Sequence, residues 1–206
     1  ALEESGSPYL VSPGRVTKGD GSFYKVFTPF YDAWRRHGWR PPAASGPDSA
    51  RWIDPADVAP THDIPAAGVD LELPAGESAA RAQWTRFVAD GLADYPADRN
   101  RPDLDATSRM SAHLKFGAIH PRTLAADLDG SAGPQAYLRE LAFRDFYAAV
   151  LHHWPDSLWW NWNRGFDGIR VDEDREAFEA WKAGKTGFPI VDAGMRQLAQ
   201  SGFMHN

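Results

Sequence analysis

The sequence predicts an all-α domain preceded by a long irregular segment that contains few helices. Apolar residues recur at helical spacing from about residue 77 onwards, and residues that start or stop helices border these stretches. No stretch alternates convincingly between polar and apolar residues, as a half-buried strand would. No internal repeat is visible. These observations favour a helical architecture over one that contains a sheet.

The first part of the chain carries few helical signals. Residues 1–22 are rich in Gly, Ser and Pro and lack periodicity, which is typical of a linker. Order is expected from Phe23, and Thr28 before Pro29 predicts a helix start in which Thr28 is the N-cap. Residues 40–76 hold many Pro, Ala, Gly and Asp and predict a long surface connector.

Helices are expected through the rest of the chain. The clearest apolar stripe comprises Leu138, Leu141, Ala142, Ala149 and Val150. In the last helix Asp192 and Arg196 lie four residues apart, which predicts a favourable charge pair. The expected helices cover about 77–92, Thr107 or Ser108 to Gly117, Pro121 to about Leu128, and about 135–153, 172–183 and 190–200.

Composition limits the class of protein. The 206 residues suffice for one sizeable core or two small ones, and 43% hydrophobic with 24% charged content fits a soluble globular protein. The net charge of -6 argues weakly against nucleic-acid binding, although a local basic patch is compatible with it. The absence of Cys excludes disulfides and Cys-ligated metals and suits the cytoplasm. No window predicts a membrane helix, and no secretory signal is visible.

Residues 135–153 carry a second face, which is polar and aromatic. Glu140, Phe143, Arg144 and Tyr147 are spaced so that they project from one side of a helix. A carboxylate, a guanidinium and two aromatic rings can hydrogen-bond base edges, stack on a planar ring and hold an anion. The alternative is a solvated face with an intrahelical Glu140–Arg144 pair.

Residues 107–111 combine three hydroxyls with a guanidinium. Thr107, Ser108, Arg109 and Ser111 are expected in the first turn of a helix, where free amides and the helix dipole attract anions. A cofactor that bears a pyrophosphate group would fit such a site. Ordinary helix capping is the alternative.

Two further segments offer less specific signals. Residues 95–102 predict a polar loop in which Tyr95 would cover a ligand and Arg99 or Arg101 would reach phosphate, or else a solvated loop. The sequence predicts no metal site: His152 and His153 are adjacent on a helix and therefore point about 100° apart. The tryptophans at 159, 160 and 162 favour packing or an interface.

Four motifs occur in a fixed order over about residues 23–206. They are Phe27-Thr-Pro-Phe30, Thr107-Ser-Arg-Met-Ser-Ala-His-Leu-Lys-Phe-Gly117, Arg139-Glu-Leu-Ala-Phe-Arg-Asp-Phe-Tyr147, and Gly184-Lys-Thr-Gly-Phe-Pro-Ile-Val-Asp-Ala-Gly-Met-Arg-Gln-Leu198, which Gly202-Phe-Met-His-Asn206 closes. Together they resemble the DNA photolyase/cryptochrome family, and within it the class I-like deoxyribodipyrimidine photolyases.

The resemblance implies a partial helical FAD-binding domain. Residues 1–22 would end a linker from an absent α/β antenna domain, 23–76 would form the first helix and connector, and 77–206 the N-terminal part of the FAD-binding domain. The family's acidic flavin-contacting loop and inner electron-transfer tryptophans would lie beyond Asn206, so a fragment of a longer protein is expected. The resemblance also implies FAD and a second antenna chromophore of folate or deazaflavin type, which Lys115 would face.

The resemblance implies light-driven repair of cyclobutane pyrimidine dimers in DNA by electron transfer from reduced FAD, a carbon–carbon lyase reaction. It further implies a monomer without membrane contact. Glu140 would donate a hydrogen bond to the dimer and stabilise its radical anion, and Asn206 would lie near the flavin and lesion. The implied cofactor-binding residues are Tyr95, Thr107, Ser108, Arg109, Met110, Ser111, Tyr137 and Arg144. The implied DNA- or substrate-binding residues are Arg99, Glu140, Phe143, Arg144, Tyr147, Phe203 and Asn206.

Three positions depart from the family pattern. Phe143 and Phe203 stand where dimer-repairing members usually have Trp, which reduces stacking area and removes an indole donor. Val171 stands where many members have the surface tryptophan of the electron-transfer chain, so Trp159, Trp160 or Trp162 would supply another route. These departures keep a second hypothesis open, a cryptochrome-like blue-light photoreceptor without repair activity.

Overall fold

The computed structural model describes residues 6–43, 51–58 and 73–205. Within these ranges the chain is helical, and its β-type pairing is limited to an isolated antiparallel bridge between Thr17 and Phe23, which confirms the all-α prediction. The helices are α1 (Phe27–His37), α2 (Glu77–Asp90), α3 (Tyr95–Asp98), α4 (Ser111–Lys115), α5 (Pro121–Ala126), α6 (Ala132–His153), α7 (Arg175–Lys182) and α8 (Pro189–Ser201). Short 3-10 helices cover Pro55–Asp57, Pro155–Leu158 and Arg164–Phe166.

The chain divides into two compact units. The first unit comprises Ala1–Pro42 and Ala75–Glu173, and the second comprises Ala43–Pro74 and Asp174–Asn206. No helix in the described part of the chain is both long enough and apolar enough to cross a lipid bilayer.

Helix α6 forms the centre of the first unit. The predicted stripe is confirmed, because Leu138, Leu141, Ala142 and Val150 are all buried. The helix begins at Ala132, three residues before the predicted start at 135. Gly133 explains how this first turn packs: a Cβ there would lie far inside van der Waals distance of the Leu92 carbonyl oxygen. The close approach of the two backbones therefore requires glycine.

Helix α1 starts two residues earlier than predicted. Its N-cap is Val26, which has an extended backbone and makes no side-chain cap hydrogen bond, so Thr28 lies inside the helix. The prediction of Thr28 as N-cap was wrong. Phe27 stacks on Phe143 of α6, with ring centroids 3.5 Å apart, and this tertiary contact accounts for its place in the first turn. Local capping preference is weaker than such packing.

The segment that precedes α1 contributes to the core although it contains no helix. Leu10, Val11 and Val16 are buried, so order begins before Phe23. The buried carboxylate of Asp145 accepts hydrogen bonds from the Val11 amide at 2.8 Å and the Leu10 amide at 3.4 Å. It also accepts one from Trp34 Nε1 of α1 at 2.9 Å. Asp145 thereby joins this segment, α1 and α6.

Other side chains hold the carbonyl groups of the same stretch, which we call segment 7–11. His120 Nε2 contacts the Ser7 carbonyl at 2.8 Å, and Arg144 Nη1 donates to the Pro8 carbonyl at 2.7 Å. Arg122 Nη2 donates to the Leu10 carbonyl at 3.2 Å. Since a backbone that joins no ladder must find other partners, these contacts fix segment 7–11 on the helices.

The helices between 77 and 128 follow the prediction in kind but differ at their ends. Helix α5 starts at Pro121 as predicted. Residues 95–98 form a one-turn helix where a loop was expected. Helix α4 begins at Ser111, with Met110 as N-cap, so the predicted start at Thr107 or Ser108 was wrong. Gly117 does end that helix, with a positive φ of 69°.

In the second unit, side chains of α8 hold the loop that precedes it. Asp192 accepts hydrogen bonds from the Thr186 amide and hydroxyl, both at 2.7 Å, and from the Gly187 amide at 3.0 Å. Arg196 donates to the Gly184 carbonyl at 2.8 Å. The two side chains thus hold loop 184–187 and form no salt bridge with each other. The hydrogen bond from the Thr186 hydroxyl is the main cause that lowers the pKa of Asp192, and the charge of Arg196 adds to it, which agrees with the predicted favourable pair. Helix α7 starts at Arg175, capped by Asp174, and not at 172.

Candidate functional site

An aromatic wall lies where α2, α3 and α6 meet. Tyr95 and Tyr137 are both buried, and their rings meet edge to face with centroids 5.4 Å apart. The Tyr137 hydroxyl lies 2.8 Å from Ser108 Oγ. Phe87 and Trp84 of α2 complete the cluster. The wall thus joins three predicted cofactor-binding residues that are separate in sequence.

Arg99 and Glu140 form an ion pair at the accessible edge of this wall. Arg99 Nη1 donates to Glu140 Oε1, and the guanidinium lies 5.4 Å from the centroid of the Tyr95 ring. Both charged side chains are about one-third exposed, at 31% and 28%. Because a guanidinium has five N–H donors in a fork, this contact leaves donors of Arg99 for a second anion.

The protonation states follow from these contacts. Burial raises the pKa of Tyr137 and outweighs the hydrogen bond with Ser108, which lowers it. Burial also raises the pKa of Tyr95, against the opposing charge of Arg99. The hydrogen bond to Glu140 raises the pKa of Arg99. At neutral pH the two phenols are therefore neutral, and the guanidinium is a fixed cation.

A stack of aromatic rings continues along α6. Phe143 lies against Phe27 with the rings nearly parallel, at an interplanar angle of 7°. Tyr147 follows with its centroid 6.3 Å from that of Phe143, and its side chain is 64% exposed. Arg139 lies 4.9 Å from the Phe27 ring centroid. One face of Phe143 is already occupied, so a planar ligand would meet its edge or other face.

Arg144 turns away from the other residues of the predicted face. Its guanidinium donates to the Pro8 carbonyl at 2.7 Å and the Leu114 carbonyl at 3.3 Å. It also lies 4.5 Å from the centroid of the Tyr9 ring. The alternative of an intrahelical Glu140–Arg144 pair was wrong, because Glu140 contacts Arg99 instead. The expectation of one shared face fails because these residues reach different neighbours.

Residues 107–110 precede α4 and Ser111 begins it, so the prediction that all three hydroxyls lie in the first turn of a helix was wrong. Ser108 and Met110 are buried, whereas Thr107 and Arg109 are half-buried and Ser111 is exposed. Arg109 has a positive φ of 52° and forms a salt bridge with Asp105 at 2.9 Å. The accessible set, two hydroxyls and a guanidinium, has the chemistry that a phosphate group needs.

The remaining predicted residues belong to other parts of the chain. Phe203 belongs to the second unit, and Asn206 lies outside the described residues. Lys115 is exposed at the end of α4. Val171 is exposed, as are the tryptophans at 159, 160, 162 and 181.

Asp145 is the polar residue that sequence reasoning missed. It is 2% exposed and lies within the apolar stripe of α6, four residues after Leu141. An Asp within an apolar stripe is a sequence signal for a buried carboxylate with hydrogen-bond partners, because buried charges require partners. Burial raises its pKa to about 6, against the hydrogen bonds from Val11, Trp34 and Leu10.

The comparisons with known proteins agree with this arrangement. A profile for the FAD binding domain of DNA photolyase matches residues 137–206. The deoxyribodipyrimidine photo-lyase of Alkalihalophilus pseudofirmus is 37% identical over 96% of this chain. A class III photolyase from Agrobacterium tumefaciens superposes with a TM-score of 0.76 at 30% identity, over 97% of this chain and 44% of its own. Over nearly its whole length the chain is therefore similar to DNA photolyases.

A further photolyase, from Sulfolobus tokodaii and solved with two FAD molecules, superposes with a TM-score of 0.70 at 25% identity. The superposition covers 94% of this chain and 43% of the Sulfolobus protein. The chain spans 44% of the length of its curated photolyase relative from Alkalihalophilus. The helical architecture is thus that of the photolyase FAD-binding region.

Proposed function

We propose that this chain is part of a photolyase that binds FAD and repairs cyclobutane pyrimidine dimers in DNA under light. The observation that carries the proposal is the Tyr95–Arg99–Glu140 group, with Phe143 three residues after Glu140 on α6. It offers a cation for phosphate, a carboxylate for base edges and an aromatic ring for stacking. The names of the relatives support the same activity.

The hydrogen-bond donors at and just before the start of α4 fit FAD. Thr107, Arg109 and Ser111 would hold the pyrophosphate through two hydroxyls and a guanidinium. Tyr95 and Tyr137 would form the apolar wall beside the ring system and exclude water from it. When bound, FAD supplies the light absorption and the electron that splits the dimer. Ser108 and Met110 would support this site from the core, since both are buried.

The substrate side would depend on the ion pair. Arg99 would bind a DNA phosphate through the donors that Glu140 leaves, and Tyr147 would add an exposed ring next to Phe143. Glu140 accepts a hydrogen bond from Arg99, so its proposed role as a donor to the dimer requires that pair to open and the carboxyl group to take up a proton.

Glu140→Ala tests the catalytic role in the full-length protein that contains this chain. The variant should lower the quantum yield of dimer repair about tenfold while DNA affinity changes less, because the lost contact stabilises the reacting state. The measurement is loss of dimers from an oligonucleotide under near-UV or blue light, with a separate binding titration. Arg170→Gln, an exposed change outside the site, is the control.

Two outcomes would contradict the proposal. Equal quantum yields for Glu140→Ala and the unchanged protein would remove the catalytic role of Glu140. A full-length protein that binds FAD but leaves every dimer intact would instead favour the blue-light photoreceptor. Thr107→Val with Ser111→Ala should weaken FAD retention during gel filtration, whereas Ser131→Ala on the surface should not.

We also propose a second antenna chromophore, a monomeric state and a cytoplasmic location for the whole protein. The Sulfolobus photolyase with two FAD molecules supports the second chromophore. The chain has no Cys, which agrees with a reducing compartment.

A further inference from the structure

A cleft of about 630 Å³ in the first unit is lined by basic residues from three parts of the chain. Arg15 belongs to the segment before α1, His37 ends α1, Arg40 follows three residues later, and Arg122 belongs to α5. Trp39 also lines the cleft. No Asp or Glu is among its lining residues. This site shares no residue with the proposed FAD and DNA site.

The positive charges at the cleft are not balanced by the described part of the chain. Arg15 and Arg40 are exposed, and neither forms a salt bridge with a described residue. The Arg122 guanidinium donates to the neutral Leu10 carbonyl through Nε and Nη2 and forms no salt bridge with a described residue. The whole chain carries a net charge of -6, so three arginines around one cleft form a marked local surplus. Like charges repel unless an anion joins them.

We propose that this cleft binds a nucleoside di- or triphosphate. Guanidinium groups bind phosphate through paired, charge-assisted hydrogen bonds, and the cleft volume falls within the usual range for small ligands. Trp39 is half-buried, and its ring lies 4.6 Å from that of Trp34, which fixes the indole. An indole held in this way is a stacking surface for a base.

The position of α1 orients the ligand. The helix ends at His37, and the C-terminal end of a helix carries a partial negative charge that disfavours an anion. The base is therefore expected over Trp39, beside the end of α1. The phosphates are expected on Arg15 and on Arg122, which donates to the Leu10 carbonyl. Arg40 lies three residues beyond the end of α1 and is expected to supply the third guanidinium to the phosphates.

Calorimetry with ADP, pyrophosphate and adenosine tests the proposal on the full-length protein as purified. ADP should bind more tightly than pyrophosphate, and adenosine should bind weakest. Arg15→Gln and Arg40→Gln should each weaken ADP binding about tenfold, because each removes a charge-assisted contact. Trp39→Phe should weaken ADP binding but leave pyrophosphate binding unchanged. Arg170→Gln removes the same charge from an exposed site away from the cleft and should have no effect.

Three results would overturn the proposal. A failure of ADP to bind would mean that other groups of the protein balance the charges of the cleft. Glu3 and Glu4, which lie just before the cleft residue Gly6 in sequence, would be candidates. Equal weakening by Arg170→Gln would mean a general charge effect. Tighter binding of an undamaged oligonucleotide, lost in the Arg15 and Arg40 variants, would assign the cleft to nucleic acid.

Dimer repair provides the internal control. The cleft variants should retain FAD absorbance and repair yield, which shows that they fold. A protein that binds ADP in the cleft but repairs no dimers would contradict only the proposed photolyase function.

Discussion

Asp145 of α6 and Asp192 of α8 are similar in their contacts and opposite in the direction of their pKa shifts. Each is buried, and each accepts three hydrogen bonds from N–H or O–H groups of neighbouring parts of the chain. Burial raises the pKa of Asp145 to about 6, whereas the hydrogen bond from the Thr186 hydroxyl is the main cause that lowers the pKa of Asp192. An equal number of donors therefore does not determine the direction of the pKa shift.

The surroundings of the two helices explain the difference. Helix α6 has nine buried residues and lies within the core of the first unit, so desolvation of its carboxylate exceeds the gain from the donors. In α8 Asp192 is the buried residue, while Phe188 before the helix and Ile190 within it are 68% and 72% exposed. Asp192 is covered by loop 184–187. The hydrogen bonds from that loop lower the pKa of Asp192 more than desolvation raises it.

Asp145→Ala should give the largest effect. It would leave the Leu10 and Val11 amides and Trp34 Nε1 without an acceptor in a buried place, at a cost of about 4 kcal/mol of unfolding free energy. Urea unfolding followed by Trp fluorescence measures it. Asp90→Ala, an exposed change, should stay within about 0.5 kcal/mol. Equal losses for the two variants would contradict the role of Asp145.

The pH dependence of the same site should give the second largest effect. The folded pKa of Asp145 is raised from 3.8 to about 6, so its stabilising contribution is complete below about pH 4 and is lost as the pH rises through 6. Relative to Asp145→Asn, the unfolding free energy should fall by roughly 2 kcal/mol between pH 4 and pH 6.5. Parallel curves for the two proteins would show that the carboxyl group does not titrate in this range.

Arg144→Gln should have an intermediate effect and should test whether Arg144 acts in structure. The change would leave the Pro8 and Leu114 carbonyls without their donor, at a cost of about 1–2 kcal/mol. Amide hydrogen exchange of Leu10 and Val11 should become faster. If Arg144 instead serves mainly the flavin, the absorption spectrum of bound FAD would change while exchange in segment 7–11 stayed the same.

Asp192→Asn should have the smallest effect, confined to loop 184–187. The folded pKa of Asp192 is lowered, so its contribution is present above about pH 4 and is lost as the pH falls below that value. Amide exchange at Thr186 and Gly187 should be faster in the variant at neutral pH and should lose its acid dependence. Faster exchange at Leu10 or Val11 in this variant would mean that the two aspartates are not independent.

Local patterns predicted the helices better than their ends. The stripe of α6 and the proline at the start of α5 act through neighbours within a few residues, and both elements form as expected. The predicted start of α4 was wrong because Thr107 and Ser108 are both residue types that favour the N-cap position when judged from the local sequence. In the fold, the Ser108 hydroxyl instead bonds the Tyr137 hydroxyl and the Met110 amide.

The side-chain partners of the site could not be read from local patterns. Arg99 and Glu140 are 41 residues apart, and both had been assigned only separate contacts with substrate. Arg144 reaches Pro8 across 136 residues, a contact that no helical spacing indicates. The residue types alone indicated that the site can contact phosphates and bases. The fold was needed to show which residues contact each other.

Segment 7–11 has a consequence for the order in which the chain folds. Its partners Arg122, Arg144 and Asp145 lie 112 to 136 residues later in the chain. Contacts of such long range form only after a large loop has closed, and they slow folding. During synthesis segment 7–11 therefore leaves the ribosome well before the helices that hold it, and its docking is expected among the last steps of folding.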